Sequence, residues 1–372
     1  MRIRTKQKIS NAVVIIINFM GFAFLGVIVG IMSAGKDDIG LLLNMAAFLV
    51  FAVIAFYLHV IIHETGHLVF GLASGYSFSS FRILNMMWQK EENGQIRFCR
   101  FTLDGTAGQC LMKPPELKEN RMPYFLYNIG GITANALLVA LAAGVMCIKP
   151  GDIAQILFSE LVVMGIVMVL TNGLPLPGLT NDGRNTLELS RSEEAQRVMN
   201  MQLNYVIMMK KGIRAKECPE KWFVMPDKEA LKHPFSALPA VFVCDRLLDE
   251  GKYDECKNTI DYLISEDIAL MPVQREVLRA DALFCELVGN RDENEIKKYM
   301  DPQLKRVFKT MRNYPSIIRT QYTYELLINN DANAAGRLLD LFDRIASKYP
   351  YRSEIEAERE RFQLVGSIYQ KA

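Results

Sequence analysis

The chain has 372 residues, of which 50% are hydrophobic and 23% charged, with a formal net charge of +2. Those proportions exclude intrinsic disorder and collagen-like repeats. The near-neutral charge, with no dense Lys/Arg cluster in the second half, gives no electrostatic footprint for nucleic acid as a partner. The seven cysteines are odd in number and form no CxxC, which argues against a disulfide framework or a zinc ribbon.

The charge is unevenly spread. Residues 1–183 hold 13 Lys/Arg and 11 Asp/Glu, whereas residues 184–372 hold 30 of each. An apolar first half followed by a charged second half reads as a membrane domain, residues 1–185, joined to a soluble domain, residues 186–372. The fold class expected is mainly α, a four-span transmembrane core with a small β-hairpin, then a helical domain.

In chain order, Arg2, Arg4, Lys6 and Lys8 lead into the apolar run Val13–Ile31. At about 19 residues this run can cross a ~30 Å hydrocarbon core, and no clean cleavage site follows it, so it reads as a retained span. Three further spans follow at about 40–73, 124–148 and 153–171, interrupted only by Glu64 and Glu160. Each is expected as a helix, the open-chain solution that satisfies its own backbone in lipid. The positive residues place the N-terminus and the loop from Arg82 to Arg121 inside, and the short loops at Lys36 and Lys149 outside. The C-terminal half then also falls in the cytoplasm, and the chain reads as a multi-pass protein of a bacterial cell membrane.

Between the second and third spans, Phe81–Gln89 and Gln95–Leu103 are rich in aromatic and branched residues and flank Asn93-Gly94. This predicts a β-hairpin over about 80–104. Gly105, Gly108, Pro114 and Pro115 are expected to break regular structure after it. In the second half, Leu247–Cys256 resembles the turn between the two helices of a tetratricopeptide-type repeat, with similar turns at Gly289–Asp292 and Asn329–Ala332. Their spacing exceeds the usual ~34 residues, so a repeat array from about residue 236 stands beside an irregular helical bundle as the alternative.

The string with chemical content is His63-Glu64-Thr65-Gly66-His67 in the second span. On a helix the two histidines lie one turn apart on one face, which suits two imidazole nitrogens on one Zn²⁺ at ~2.0–2.1 Å. Glu64 points about 100° around the helix, where it reaches a water on the metal and can act as general base. Zinc needs a third protein ligand. Asp182 is the candidate, because it follows the helix-breaking Pro175 and Pro177 at the end of the fourth span. The orientation rule, which uses neither motif, puts it on the same side of the bilayer as His63 and His67.

HExxH in a span, followed after one more span by an N-x-x-P…D-G motif from Asn172 to Gly183, resembles the site-2 protease family of intramembrane zinc metalloproteases. Gly131 to Asn135 in the third span is similar to that family's G-x-x-x-N. The resemblance covers about residues 40–185. It implies that His63, His67 and Asp182 bind zinc, that Glu64 is the base, and that Asn172, Asn135 and Gly131 serve substrate binding or the oxyanion. It also implies that the hairpin offers an edge strand to an unwound substrate. The spacing from Asn172 to Asp182 is ten residues, longer than the family's common form.

The activity expected is hydrolysis of a peptide bond within or at the edge of a membrane-spanning protein or peptide substrate, in the lipid bilayer. Two alternatives stand beside it: a surface peptidase maturing a short peptide or leader, and a non-hydrolytic zinc-binding scaffold. The C-terminal half holds one histidine, His233, and no phosphate loop, so it is expected to bind substrate or a protein partner. His59 reads as a packing residue or fourth ligand, Glu160 as a hydrogen-bonded interior group, an outward-snorkelling acid or a proton relay. Cys110 reads as an ordinary thiol, and Met199–Met209 as a packed helix.

Overall fold

The computed structural model describes residues 3–102, 106–119, 121–149, 151–177, 180–266 and 268–371. The chain forms two compact units, Met1–Asn200 and Met201–Ala372, a division later in sequence than the expected boundary after residue 185.

The first unit is built on four helices, α1 (Ile3–Ser33), α2 (Asp38–Ala73), α3 (Tyr124–Cys147) and α4 (Asp152–Gly173). Among the described residues these four are long and apolar enough to cross a membrane. Their outer faces leave large apolar side chains uncovered, such as Phe19, Leu42 and Leu141, which is the surface a lipid solvent favours. The α1–α2 and α3–α4 turns close the same end of the bundle, because Lys36 pairs with Asp152 across them at 2.5 Å. Asp37 caps α2 by accepting the Gly40 N–H at 2.9 Å. At the other end of α4, Asn181 accepts the Arg184 N–H at 2.9 Å and so caps α5 (Asp182–Arg191), which is followed by α6 (Glu193–Lys210).

The predicted hairpin is half of a larger sheet. Strands β1 (Ser77–Ile83), β2 (Met86–Lys90), β3 (Ile96–Arg100) and β4 (Gly108–Lys113) run antiparallel in the order β3-β2-β1-β4. The β2–β3 hairpin turns at Asn93-Gly94 as expected, with Gly94 at φ 83°. The single strand predicted over 81–89 is two strands, folded at Leu84-Asn85. Apolar residues flank Asn85 on both sides, from Ile83 to Met87, and mask this single turn-favouring residue. Neighbouring strands hold it instead: Leu84 N–H donates to the Ala107 carbonyl at 2.7 Å and Phe101 N–H to Asn85 at 3.0 Å. A break was expected after residue 104, but Gly108 begins β4, which pairs along β1 with Phe81 opposite Cys110. Leu103, Asp104 and Gly105 lie outside the described residues.

The second unit contains α7 (Pro234–Asp249), α8 (Tyr253–Ser265), α9 (Pro272–Val288), α10 (Glu293–Tyr299), α11 (Pro302–Thr310), α12 (Pro315–Leu327), α13 (Ala332–Ala346) and α14 (Arg352–Lys371). The three predicted turns fall between α7 and α8, α9 and α10, and α12 and α13. Each carries one left-handed residue, Gly251, Arg291 or Asn330. Near each, a backbone N–H reaches back to a carbonyl of the helix just ended: Lys252 to Leu247, Arg291 to Glu286, Asp331 to Glu325. The helix pairs differ in length, α10 and α11 being short. His233 is exposed at the start of α7, as expected of a surface residue.

Polar groups line a cavity of about 200 Å³ inside this unit, among them Asp245, Asp281, Glu354 and Arg361. Burial, then the neighbouring Asp281 carboxylate, pushes the Asp245 carboxyl up to about 8. Burial, then Glu358, does the same to Glu354. Both groups therefore hold a proton in the fold where the unfolded chain has lost it, and their contribution to stability falls as pH rises from about 4 to about 8. Asp245→Asn removes one such group. Thermal unfolding of the full chain is expected to show the variant gaining on wild type between pH 5 and pH 8. Parallel pH profiles for the two proteins would contradict this.

Candidate metal centre

The centre is set by how closely α2 approaches α3. A Cβ on Gly130 would lie 2.6 Å from the Gly66 carbonyl oxygen, and one on Gly66 would run into the backbone of Gly130. The two helices thus touch backbone to backbone where HExxH sits. One residue on, a Cβ at Gly131 would lie 2.6–2.7 Å from three atoms of the His63 ring. Gly131 is the space that the imidazole occupies.

Asp182 arrives from the α4–α5 connection. The Asn181 amide donates to the Thr171 and Leu174 carbonyls at 2.7 Å each while its oxygen caps α5. Gly183 lies directly on the Gly173 backbone, leaving no room for a Cβ. The next residue after the cap is therefore held against the end of α4, and its carboxylate faces α2. Gly178 and Leu179 of this connection lie outside the described residues.

These elements bring three ligand atoms to one point. His63 Nε2 and His67 Nε2 are 3.1 Å apart, and Asp182 Oδ2 lies 3.1 Å from the first and 3.4 Å from the second. The edge of a tetrahedron of N/O ligands at ~2.05 Å from a metal is about 3.3 Å. Oδ2 is buried, with the two Nε2 atoms as its near polar neighbours. Two imidazole nitrogens and a carboxylate oxygen converging at this spacing repel one another unless a proton or a metal ion stands between them. His63, His67 and Asp182 can hold a metal ion, and they are the group among the described residues with that geometry.

The surroundings fix the ligands. His67 Nδ1–H donates to the Tyr127 carbonyl at 2.7 Å. Tyr127 in turn stacks on Tyr76, with centroids 4.7 Å apart, and donates its hydroxyl to the Cys110 carbonyl at 2.8 Å. Glu64 is buried, and a Cβ on Gly108 would strike its carboxylate, so the first residue of β4 lies against it. Arg82, also buried, holds that corner by donating to the carbonyls of Leu84 at 2.6 Å and Gly108 at 3.2 Å, and to Thr106 Oγ1. Burial, then the Glu64 charge, pushes the Cys110 thiol up to about 12, so it is an unreactive thiol.

Comparison with protein-family models, curated proteins and solved structures returned no match. The geometry alone therefore assigns each predicted residue its place. His63, His67, Asp182 and Glu64 are together. Asn135 is fully buried between His59 and His63. Gly131, likewise, is packed on His63. Asn172 donates its amide to the Met168 carbonyl of its own helix at 3.0 Å. His59 is not a fourth ligand, since both its nitrogens are engaged elsewhere, with Asn135 and the Leu161 carbonyl. Glu160 is interior, but neither of its oxygens has a hydrogen-bond partner. Sequence reasoning missed Asn181 and Arg82. An Asn directly before a charged helix start is a capping signal that points to the first; nothing local distinguishes Arg82 from the other basic residues of its loop.

The glycine contact gives a direct test. Gly131→Ala is expected to displace the His63 ring and lower metal affinity about tenfold or more, the scale seen when a ligand's support is disturbed. Gly144→Ala, at a glycine of the same helix with open space around it, is expected to change nothing. Metal retention against a competing chelator measures both, and equal retention would contradict the packing role.

Proposed function

We propose that this chain is a membrane-embedded zinc endopeptidase of the site-2 protease type, cutting a peptide bond within or at the edge of a membrane-spanning segment. The observation that carries the reading is the His63–His67–Asp182 triangle with Glu64 beside it, on a helix long and apolar enough to span a bilayer. Two imidazole nitrogens and one carboxylate oxygen suit Zn²⁺, which in catalytic sites takes three protein ligands and leaves one position open. When bound, zinc supplies Lewis acidity at the scissile carbonyl and makes the attacking water more acidic.

The chain's own residues do the rest. Glu64 takes the proton from the attacking water and returns it to the leaving amide nitrogen. Gly108 and the Arg82 corner restrict where its carboxylate can swing. A membrane helix hides its amides in its own hydrogen bonds, so a substrate must open before it is cut. The sheet edge beside Glu64 is β4, at the opposite side from the β3 edge of the expected hairpin. An extended segment added along β4 runs past the base with its backbone held open.

The basic residues at the start and in the 82–121 loop support an N-terminus, sheet and C-terminal half in the cytoplasm, with the Lys36–Asp152 end of the bundle outside. The second unit's helix hairpins offer a surface for substrate or a protein partner.

Zinc analysis of the detergent-purified protein is expected to give about one ion per chain, lost in His63→Ala. Glu64→Gln should keep the zinc and lose cleavage of a membrane-span substrate by ~10²–10⁴-fold, the usual contribution of a general base. A zinc content near zero, or full cleavage by Glu64→Gln, would overturn the proposal. Topology is checked separately by single cysteines in a cysteine-free background. Gly94→Cys should label only from inside and Lys149→Cys only from outside; labelling of Gly94→Cys from outside would invert the scheme.

A further inference from the structure

The two metal-facing histidines are held from behind by different means. His67 is fixed by a backbone carbonyl, that of Tyr127, which can only accept. Its Nδ1 therefore carries a proton, which leaves Nε2 as the atom that can meet a metal. His63 instead backs onto a side-chain amide. Asn135 Oδ1 lies 3.1 Å from His59 Nδ1 and its Nδ2 lies 3.2 Å from His63 Nδ1, and His59 Nε2 meets the Leu161 carbonyl at 2.8 Å. His59 and Asn135 are both 0% exposed. Gly165 of α4 makes room for His59, since a Cβ there would lie 2.8 Å from its Nε2.

A carboxamide can turn by 180° without moving its heavy-atom positions, so its partners decide which end faces which. With Oδ1 toward His59, that ring must donate from both nitrogens, because the Leu161 carbonyl also only accepts. His59 is then an imidazolium in an apolar bundle, and no carboxylate is paired with it among the described residues. That arrangement is costly in a membrane. The same orientation makes His63 Nδ1 an acceptor and puts that ring's one proton on Nε2, the atom aimed at His67 and Asp182. With Nδ2 toward His59, both difficulties vanish. His59 Nε2–H donates to Leu161, Asn135 Nδ2–H donates to His59 Nδ1, and His63 Nδ1–H donates to Asn135 Oδ1. Every polar atom of the chain is matched, all groups are neutral, and His63 Nε2 is bare.

We propose that in the metal-loaded protein the Leu161–His59–Asn135–His63 chain takes this second order and thereby sets the His63 tautomer for metal binding. His59 and Asn135 are positioning residues: they act on the metal through His63 and touch no substrate. The inference rests on the metal-centre reading, and it explains why a third histidine lies one turn before the pair without ligating.

The test uses the full chain, labelled with ¹⁵N-histidine, in micelles with zinc as the probe. Only four histidines are present, so every ring is resolvable by its two-bond nitrogen–proton pattern. Zinc-loaded wild type is expected to show His63 and His67 protonated on Nδ1, and His59 protonated on Nε2 alone. Asn135→Leu should lower zinc affinity about 10–100-fold in chelator competition, the usual effect of losing a partner that orients a ligand. Asn135→Asp, which still accepts from His63 Nδ1, should keep most of it. A His59 protonated on Nδ1 in the zinc-loaded wild type would overturn the proposal without any variant being made. So would equal zinc affinity in wild type and Asn135→Leu, or equal weakening by Leu and Asp, which is the signature of a packing role. A wild type that takes up no zinc would instead bring down the proposed function, and this inference with it.

Discussion

The backbone contact between Gly66 and Gly130 is the constraint on which the site depends. It brings α2 and α3 close enough for a ring on one helix to fill the place of a side chain on the other, as His63 does at Gly131. It also puts the Tyr127 carbonyl within reach of His67 and the Asn135 amide within reach of His63. A side chain at either glycine would push the helices apart and take all three supports away together. The same economy recurs where Gly183 meets Gly173 and Gly165 meets His59. Small residues in membrane bundles allow close packing; here the closeness also fixes the direction of each ligand.

The surroundings of the centre are divided by chemistry. The outer faces of the four long helices are apolar, while His59, His63 and His67 point inward, where carbonyls and an amide meet their rings. Glu160 is an interior carboxyl with no hydrogen-bond partner. The sheet covers the centre from one side: β4 meets Glu64 through a glycine, and Arg82 pins the corner. The second unit holds its own buried charges, such as Arg319 paired with Asp281 and lying over the Phe284 ring, and no metal-binding group among its described residues.

The elements legible in the sequence are those whose signal is local. Four long apolar runs announce four helices, and their ends fall within a few residues of the expected ones, except that α1 begins well before Val13. The His63–His67 spacing is a property of one helix turn, so it carries over directly. Asn93-Gly94 and Gly251 mark turns because few other residues accept their backbone angles. What pattern reading cannot reach is partnership at long range. The fold at Leu84-Asn85 is marked by one polar residue between apolar neighbours and is held by the chain on either side. β4 begins at a glycine that reads as a breaker when its partner β1 is unknown. The contacts of Asn135 and Gly131 with His63 across the helix interface are of this kind, since no local pattern shows them.

Zinc K-edge X-ray absorption on the purified full-length protein tests the metal centre at its ligand atoms. Two imidazole nitrogens are expected at ~2.0–2.1 Å and one carboxylate oxygen at ~2.0–2.2 Å, with a light-atom scatterer completing four-coordination and no sulfur. In His67→Ala the imidazole signature should fall or the zinc be lost. A zinc held through thiolate sulfur, or one whose imidazole signal is unchanged in His67→Ala, would contradict this ligand set.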